Sequence, residues 1–146
     1  MKEAYETMIQ TIIGHQGSGK TIKLIQLANE ALSTENGNVF FIDNNNRHMY
    51  DLRREIRFVN AKDYDIKSLN GFYGLLCGML AANFDITLIV IDGFMKTVNV
   101  TNDTMDEMET FFQRVETLSE KNGVRIVFGI SGESDQMPEF ITRYAQ

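Results

Sequence analysis

The chain has 146 residues, enough for one hydrophobic core and short for two domains. Hydrophobic residues make up 43% and charged residues 23%, the balance of a globular protein and not of a disordered or fibrous one. The net charge of −6 argues against a generic, charge-driven nucleic-acid binder, and the single cysteine, Cys77, excludes an intrachain disulfide.

Residues 1–6 lack a signal-peptide pattern, and the longest apolar runs fall short of a membrane span. The expected setting is therefore a reduced cytoplasm, with no membrane contact. No linker, internal repeat or low-complexity tract interrupts the chain, so residues 1–146 read as a single domain.

The first element is an apolar strand over 8–13. It runs into Gly14, His15, Gln16, Gly17, Ser18, Gly19, Lys20 and Thr21, a complete G-x-x-x-x-G-K-[ST] pattern. A triphosphate packs several negative charges into a small volume, and backbone N–H groups surround it only where the chain curls tightly. Glycines at 14, 17 and 19 permit that curl and a close approach. The helix expected over 20–34 would point its N-terminal amides and positive dipole end at the phosphates. Lys20 would reach the β- and γ-phosphates, and the Thr21 hydroxyl would ligate Mg²⁺. Leu24, Ile25, Ala28, Ala31 and Leu32 give that helix one apolar face, and Gly37 is its expected stop.

A second strand over 39–43 is apolar until it ends at Asp43, followed by a loop of Asn44, Asn45 and Asn46. One or two helical turns over 49–54 and a short third strand over 56–59 come next. A helix is expected over 66–82. Its Gly71, Gly74 and Gly78 each weaken a helix, and their expected role is close packing against the sheet. The fourth strand, 86–91, ends at Asp92. A helix over 103–121 carries an apolar stripe of Met105, Met108, Phe112, Val115 and Leu118, read as core, with a capping box expected between Thr104 and Glu107. A fifth strand over 124–130 ends at Ser131, and a short amphipathic stretch over 140–144 follows Pro138.

Strand and helix alternate throughout, which predicts an α/β fold of three layers, αβα, around a mostly parallel sheet of about five strands. Ligands of such folds sit beyond the carboxyl ends of the strands. The glycine loop, Asp43, Asp92 and Ser131 all fall there.

Four hydrophobic residues followed by Asp92 form a Walker B pattern, whose acid holds Mg²⁺ opposite Thr21. Hydrolysis also needs a group that orients the attacking water. Gly93 stands where many such enzymes carry a Glu, so Asp43 is the candidate catalytic carboxylate, beside Lys20. Asn45 could position a water but could not accept its proton. Ser131 is a candidate sensor of the γ-phosphate, with Glu133 nearby.

In these elements the chain resembles the RecA-like branch of P-loop ATPases, over about residues 8–131. The resemblance implies ATP and Mg²⁺ as ligands and a phosphate-loop strand that is not adjacent to strand two. The family usually carries Glu near the position of Asn44 or Asn45, and often Gln where Ser131 stands. The sequence thus predicts a slow ATPase. The alternatives are a nucleotide-binding switch or scaffold, favoured by the missing Glu, and a small-molecule kinase, for which Arg47, Arg53, Arg54 and Arg57 would form a lid. That arginine cluster, with His48 and Tyr50, is also the candidate nucleic-acid patch, though Asp51 and Glu55 are interleaved. A protein partner or a second copy could supply an arginine to the site, from Arg114, Arg125 or Arg143. A guanine-reading Asn-Lys-x-Asp motif does not occur.

Overall fold

The computed structural model of the chain describes residues 8–15 and 17–145. Five strands, β1 (Ile9–Gly14), β2 (Asn38–Asp43), β3 (Arg57–Asn60), β4 (Ile86–Ile91) and β5 (Arg125–Ser131), form one sheet. Every pairing is parallel, and the order is β1-β5-β4-β2-β3. β1 and β2 are therefore separated by two strands. The helices are α1 (Lys20–Ala31), α2 (Leu69–Ala82), α3 (Phe94–Val98), α4 (Met105–Asn122) and α5 (Glu139–Thr142).

The strands are apolar on both sides because both faces are covered, and the pleat sorts alternate residues between them. Phe41, Leu88, Val90 and Val127 lie on one face, against Leu24, Ala28 and Ala31 of α1. Ile42, Ile89, Ile91, Ile126, Phe128 and Ile130 lie on the other, against Phe72, Leu76 and Leu80 of α2 and Met108, Phe112 and Val115 of α4. The three layers follow directly. Each fully buried Phe, Leu or Ile here contributes roughly 1.5–3 kcal/mol relative to an exposed one.

Parallel sheets leave two open edges. The outer edge of β1 is met by the C-terminal segment. The Thr11 N–H donates to the Tyr144 carbonyl at 2.9 Å, and Thr11 Oγ1 donates to the Ile141 carbonyl at 3.0 Å. Tyr144 is anchored in turn by its hydroxyl, which donates to Glu116 at 2.7 Å.

Several local expectations are corrected. Helix α1 ends at Ala31, before Gly37, because the N–H groups of Leu32, Ser33 and Thr34 turn to carbonyls three residues back. The 49–54 segment is only a 3₁₀ turn over Met49–Asp51. Ser68 starts α2 by accepting the Gly71 N–H at 2.9 Å, so the helix begins at Leu69 and not at 66. Gly74 and Gly78 do not pack on the sheet. A side-chain carbon built on either would meet nothing within 4 Å, because they lie on the outer face of α2. The capping box at Thr104 does not form. Its hydroxyl instead donates to the Thr101 carbonyl and accepts the Thr101 N–H, both at 2.9 Å.

Candidate functional site

The chain leaves the sheet at Gly14 and re-enters regular structure at Lys20. Between them Gly17 and Gly19 have φ of 87° and 86°, a left-handed conformation that strains any other residue. The Ser18 N–H donates to the His15 carbonyl at 3.1 Å, closing the turn. A side chain at Gly14 would run into Ser18 Oγ, so the Ser18 hydroxyl would have to turn away to admit one. Gly19 brings no side chain to cap α1, which leaves the first-turn amides as donors for a ligand. Gln16, expected among the loop residues, lies outside the described residues.

The loop aims Lys20 and Thr21 at the end of β4. Thr21 Oγ1 donates to Asp92 Oδ2 at 2.8 Å. Lys20 Nζ lies 3.7 Å from Asp92 Oδ1. Asp92 is only 6% exposed, and its Oδ1 also accepts the Gly93 N–H at 2.9 Å. Its position is set by the sheet, because its own N–H continues the ladder to the Ile42 carbonyl at 2.8 Å. A hydroxyl and a buried carboxylate beside a lysine and free helix amides are a donor set that fits a Mg²⁺-bound phosphate. Thr21 and Asp92 would hold the ion, and Lys20 with the loop amides would hold the phosphates.

Asp43 ends the neighbouring strand. Ile42 pairs with Ile91, so Asp43 and Asp92 occupy the next position on adjacent strands. Asp43 is 4% exposed. Burial pushes its carboxyl up from 3.8 to about 6. The Asn44 N–H, 2.7 Å from Oδ1, works against that, while the charge of Asp92 adds to it. His48 and Arg47 favour the carboxylate more weakly. The asparagine run is fixed by its own amides: Asn45 Nδ2 donates to Asn44 Oδ1 at 3.1 Å, and Asn60 Nδ2 to Asn46 Oδ1 at 3.2 Å.

Ser131 is the register partner of Gly14 at the same edge and is exposed, with Glu133 exposed just beyond. The candidate arginines lie elsewhere and have partners. Arg125 begins β5, at the opposite edge of the sheet, and meets Glu35 at 2.9 Å. Arg143 meets Glu139 at 2.7 Å, and Arg114 lies 3.8 Å above the Tyr73 ring. Arg47, Arg53 and Arg54 of the β2–β3 crossover and Arg57 at the start of β3 are all exposed, and Tyr50 is 90% exposed. Arg53 lies 3.9 Å from Glu55, and His48 lies 2.9 Å from Asp51. The Asn29 side chain pins this crossover to α1 through the Asp51 carbonyl and the Arg53 N–H.

Two features of the site escaped the sequence. Helix α3 follows Asp92 and Gly93 at once, where no helix was expected. Gly129 leaves room for the site: a side-chain carbon there would lie 2.6 Å from Leu24 Cδ1 and 3.3 Å from Asp92 Oδ1. A glycine between Phe128 and Ile130 in a buried strand was the available signal.

The chain matches no protein-family model and no curated protein. Among the described residues, no helix is long and apolar enough to cross a membrane.

Proposed function

We propose that this protein binds ATP with Mg²⁺ and hydrolyses it slowly, as a P-loop protein of the RecA-like type. The observation that carries this reading is the convergence of Thr21 and Lys20 on Asp92, 2.8 Å and 3.7 Å away respectively across the sheet edge. A phosphate loop without a strand-end acid could be a glycine turn. The two together supply a cradle, a cation and an ion site in one place. A cytoplasmic setting belongs to the same proposal and rests on the lone Cys77.

Slow turnover is expected because the residue after Asp92 is Gly93, at φ 66°, and supplies no carboxylate for the attacking water. Among the described residues, Asp43 is the other buried acid at this edge. The same observation favours a second reading, a nucleotide-dependent switch that binds without turnover.

The test is a calorimetric titration with ATP and Mg²⁺, beside phosphate release. Wild-type binding that Lys20→Ala abolishes supports the nucleotide site. Unchanged ATP affinity in Lys20→Ala would sink it. Binding with no phosphate release would select the switch.

A further inference from the structure

The crossover that joins β2 to β3 carries Arg47, Arg53 and Arg54 within a few residues of one another. The chain holds 20 acidic residues against 14 basic ones, so carboxylates to pair with them are plentiful. Even so, Arg47 and Arg54 are exposed and form no ion pair among the described residues. The two acids of the same stretch are already engaged. Asp51 meets His48 at 2.9 Å, and Glu55 meets Arg53 at 3.9 Å. The acids that interrupt the basic run are thus drawn to other neighbours, which leaves the Arg47 and Arg54 guanidinium groups to solvent.

Between these arginines in the chain stands Tyr50, 90% exposed. Its ring is presented by a fixed backbone. Met49–Asp51 form a 3₁₀ turn, closed by the Asp51 N–H on the His48 carbonyl at 3.0 Å. Asn29 of α1 clamps the residues that follow, donating to the Asp51 carbonyl at 3.1 Å and accepting the Arg53 N–H at 2.8 Å. Leu52 and Ile56 are buried on the α1 side of the sheet. A segment held in this way has already lost the backbone freedom that binding would otherwise have to remove.

The crossover lies at one end of the sheet, because β3 is the last strand in the order. It descends from Asp43 to Arg57, which pairs with Phe40, three positions below Asp43 and roughly 10 Å along the strand. Arg57 itself leaves β3 on the face opposite Phe58, which packs on the α1 side, so it stands outside this surface. Arginine and tyrosine together suit two kinds of partner. A protein interface surrounds them with an apolar centre. Among the described residues the exposed large hydrophobic side chains are Ile22, Tyr50, Tyr64 and Phe84, and Tyr50 alone of these belongs to the crossover. A single strand of nucleic acid needs only cations for its phosphates and a ring on which a base stacks.

We propose that the β2–β3 crossover binds single-stranded nucleic acid, with Arg47, Arg53 and Arg54 on its phosphates and Tyr50 stacked against a base. Every base has a face to stack, so binding is tolerant of sequence. The net charge of −6 repels the strand from the rest of the surface, which makes the binding weak and confines it to this stretch. The inference stands apart from the nucleotide reading, because no residue of the phosphate loop takes part.

The test is fluorescence anisotropy of a labelled oligothymidine at low ionic strength, without ATP. Wild type is expected to bind it and to lose affinity as salt rises. Tyr50→Ala should weaken binding roughly fivefold or more. Arg47→Ala and Arg54→Ala should each lower the slope of log affinity against log salt by about 0.7. Lys121→Ala, an exposed cation on α4, is the control and is expected to change nothing. An abasic strand of the same length should bind wild type and Tyr50→Ala alike. The substituted side chains are exposed, so the variants are expected to fold, which circular dichroism checks. No binding by wild type, or equal binding of oligothymidine by Tyr50→Ala, overturns the proposal. Binding that Lys20→Ala abolishes and Tyr50→Ala spares would put the strand in the phosphate loop and overturn it too. A dimer in sedimentation that Arg54→Glu dissolves, with no oligonucleotide bound, would give the surface to a second copy of the chain instead. Oligonucleotide binding by a protein that does not bind ATP would support this surface and remove the nucleotide reading. ATP binding by a protein that ignores the oligonucleotide would do the reverse.

Discussion

The Thr21 hydroxyl donates to the Asp92 carboxylate at 2.8 Å, joining the first turn of α1 to the end of β4. Each group holds the other in place, and each presents a hard oxygen to the same point. Under the nucleotide reading, Thr21 acts through Mg²⁺ and not through the base or sugar. Thr21→Ala is therefore expected to lower ATP affinity roughly tenfold when Mg²⁺ is present. In EDTA it should change affinity little. Thr21→Ser keeps the hydroxyl and should behave as wild type. Calorimetry with and without Mg²⁺ checks this, and an equal loss in both conditions would place Thr21 outside the ion site.

Asp43 gives a prediction about pH in the metal-free protein. Its carboxyl is pushed up from 3.8 to about 6, chiefly by burial. Between those values the folded chain keeps a proton that the unfolded chain has lost. Stability is then greatest below pH 4 as far as this group is concerned, and it declines as pH rises to about 6. The full effect is at most about 3 kcal/mol, at 1.36 kcal/mol per unit. Asp43→Asn should flatten the decline between pH 4 and 6 and raise stability at pH 7. Urea unfolding in EDTA across that range measures it. A variant no more stable than wild type at pH 7 would contradict the burial argument.

Gly129 tests how closely α1 is set against the sheet. An added methyl would press on Leu24 Cδ1, 2.6 Å away, and approach Asp92 Oδ1 at 3.3 Å. Overpacking of this kind costs about 1–3 kcal/mol. Gly129→Ala is expected to lose that much in urea unfolding. Trimming the opposing side chain should relieve it, so the cost of Gly129→Ala in a Leu24→Ala background should be smaller than in wild type. Equal costs in both backgrounds would mean that the strain lies elsewhere.

The layered fold was legible because buried parallel strands are apolar throughout and end sharply, as at Asp43 and Asp92. Their alternation into two faces needs only the pleat. The glycine loop was legible because its backbone is left-handed at 17 and 19, a conformation that favours glycine. Other features depend on partners distant in sequence. Gly74 and Gly78 looked like packing glycines, yet which face of α2 meets the sheet is decided by Phe72, Leu76 and Leu80. Thr104 had a plausible capping partner in Glu107, but the Thr101 backbone competes for the same hydroxyl. The pairing of Asp43 with Asp92 depends on β2 lying next to β4, a neighbour relation that no local pattern encodes. Helix α3 is five residues long and too short for periodicity to reveal.

That short helix carries the last prediction. Phe94 lies two residues after Asp92 and is fully buried. Its ring centroid is 5.1 Å from Phe128, 5.2 Å from Phe72 and 5.2 Å from Phe111. One side chain thus ties the chain just after the candidate ion site to β5, α2 and α4. The Thr97 hydroxyl, bonded to the Gly93 carbonyl at 2.7 Å, closes the turn between them. Phe94→Ala should cost about 3–5 kcal/mol, as large-to-small changes at buried aromatics do. Phe112→Ala, in the same cluster but on α4, should cost a similar amount. The two should differ in binding. At a temperature where both remain folded, Phe94→Ala is expected to weaken Mg²⁺-dependent ATP binding, because the Gly93 turn loses its anchor. Phe112→Ala should not. If the two variants lose stability alike and bind alike, the aromatic cluster supports the fold without positioning Asp92.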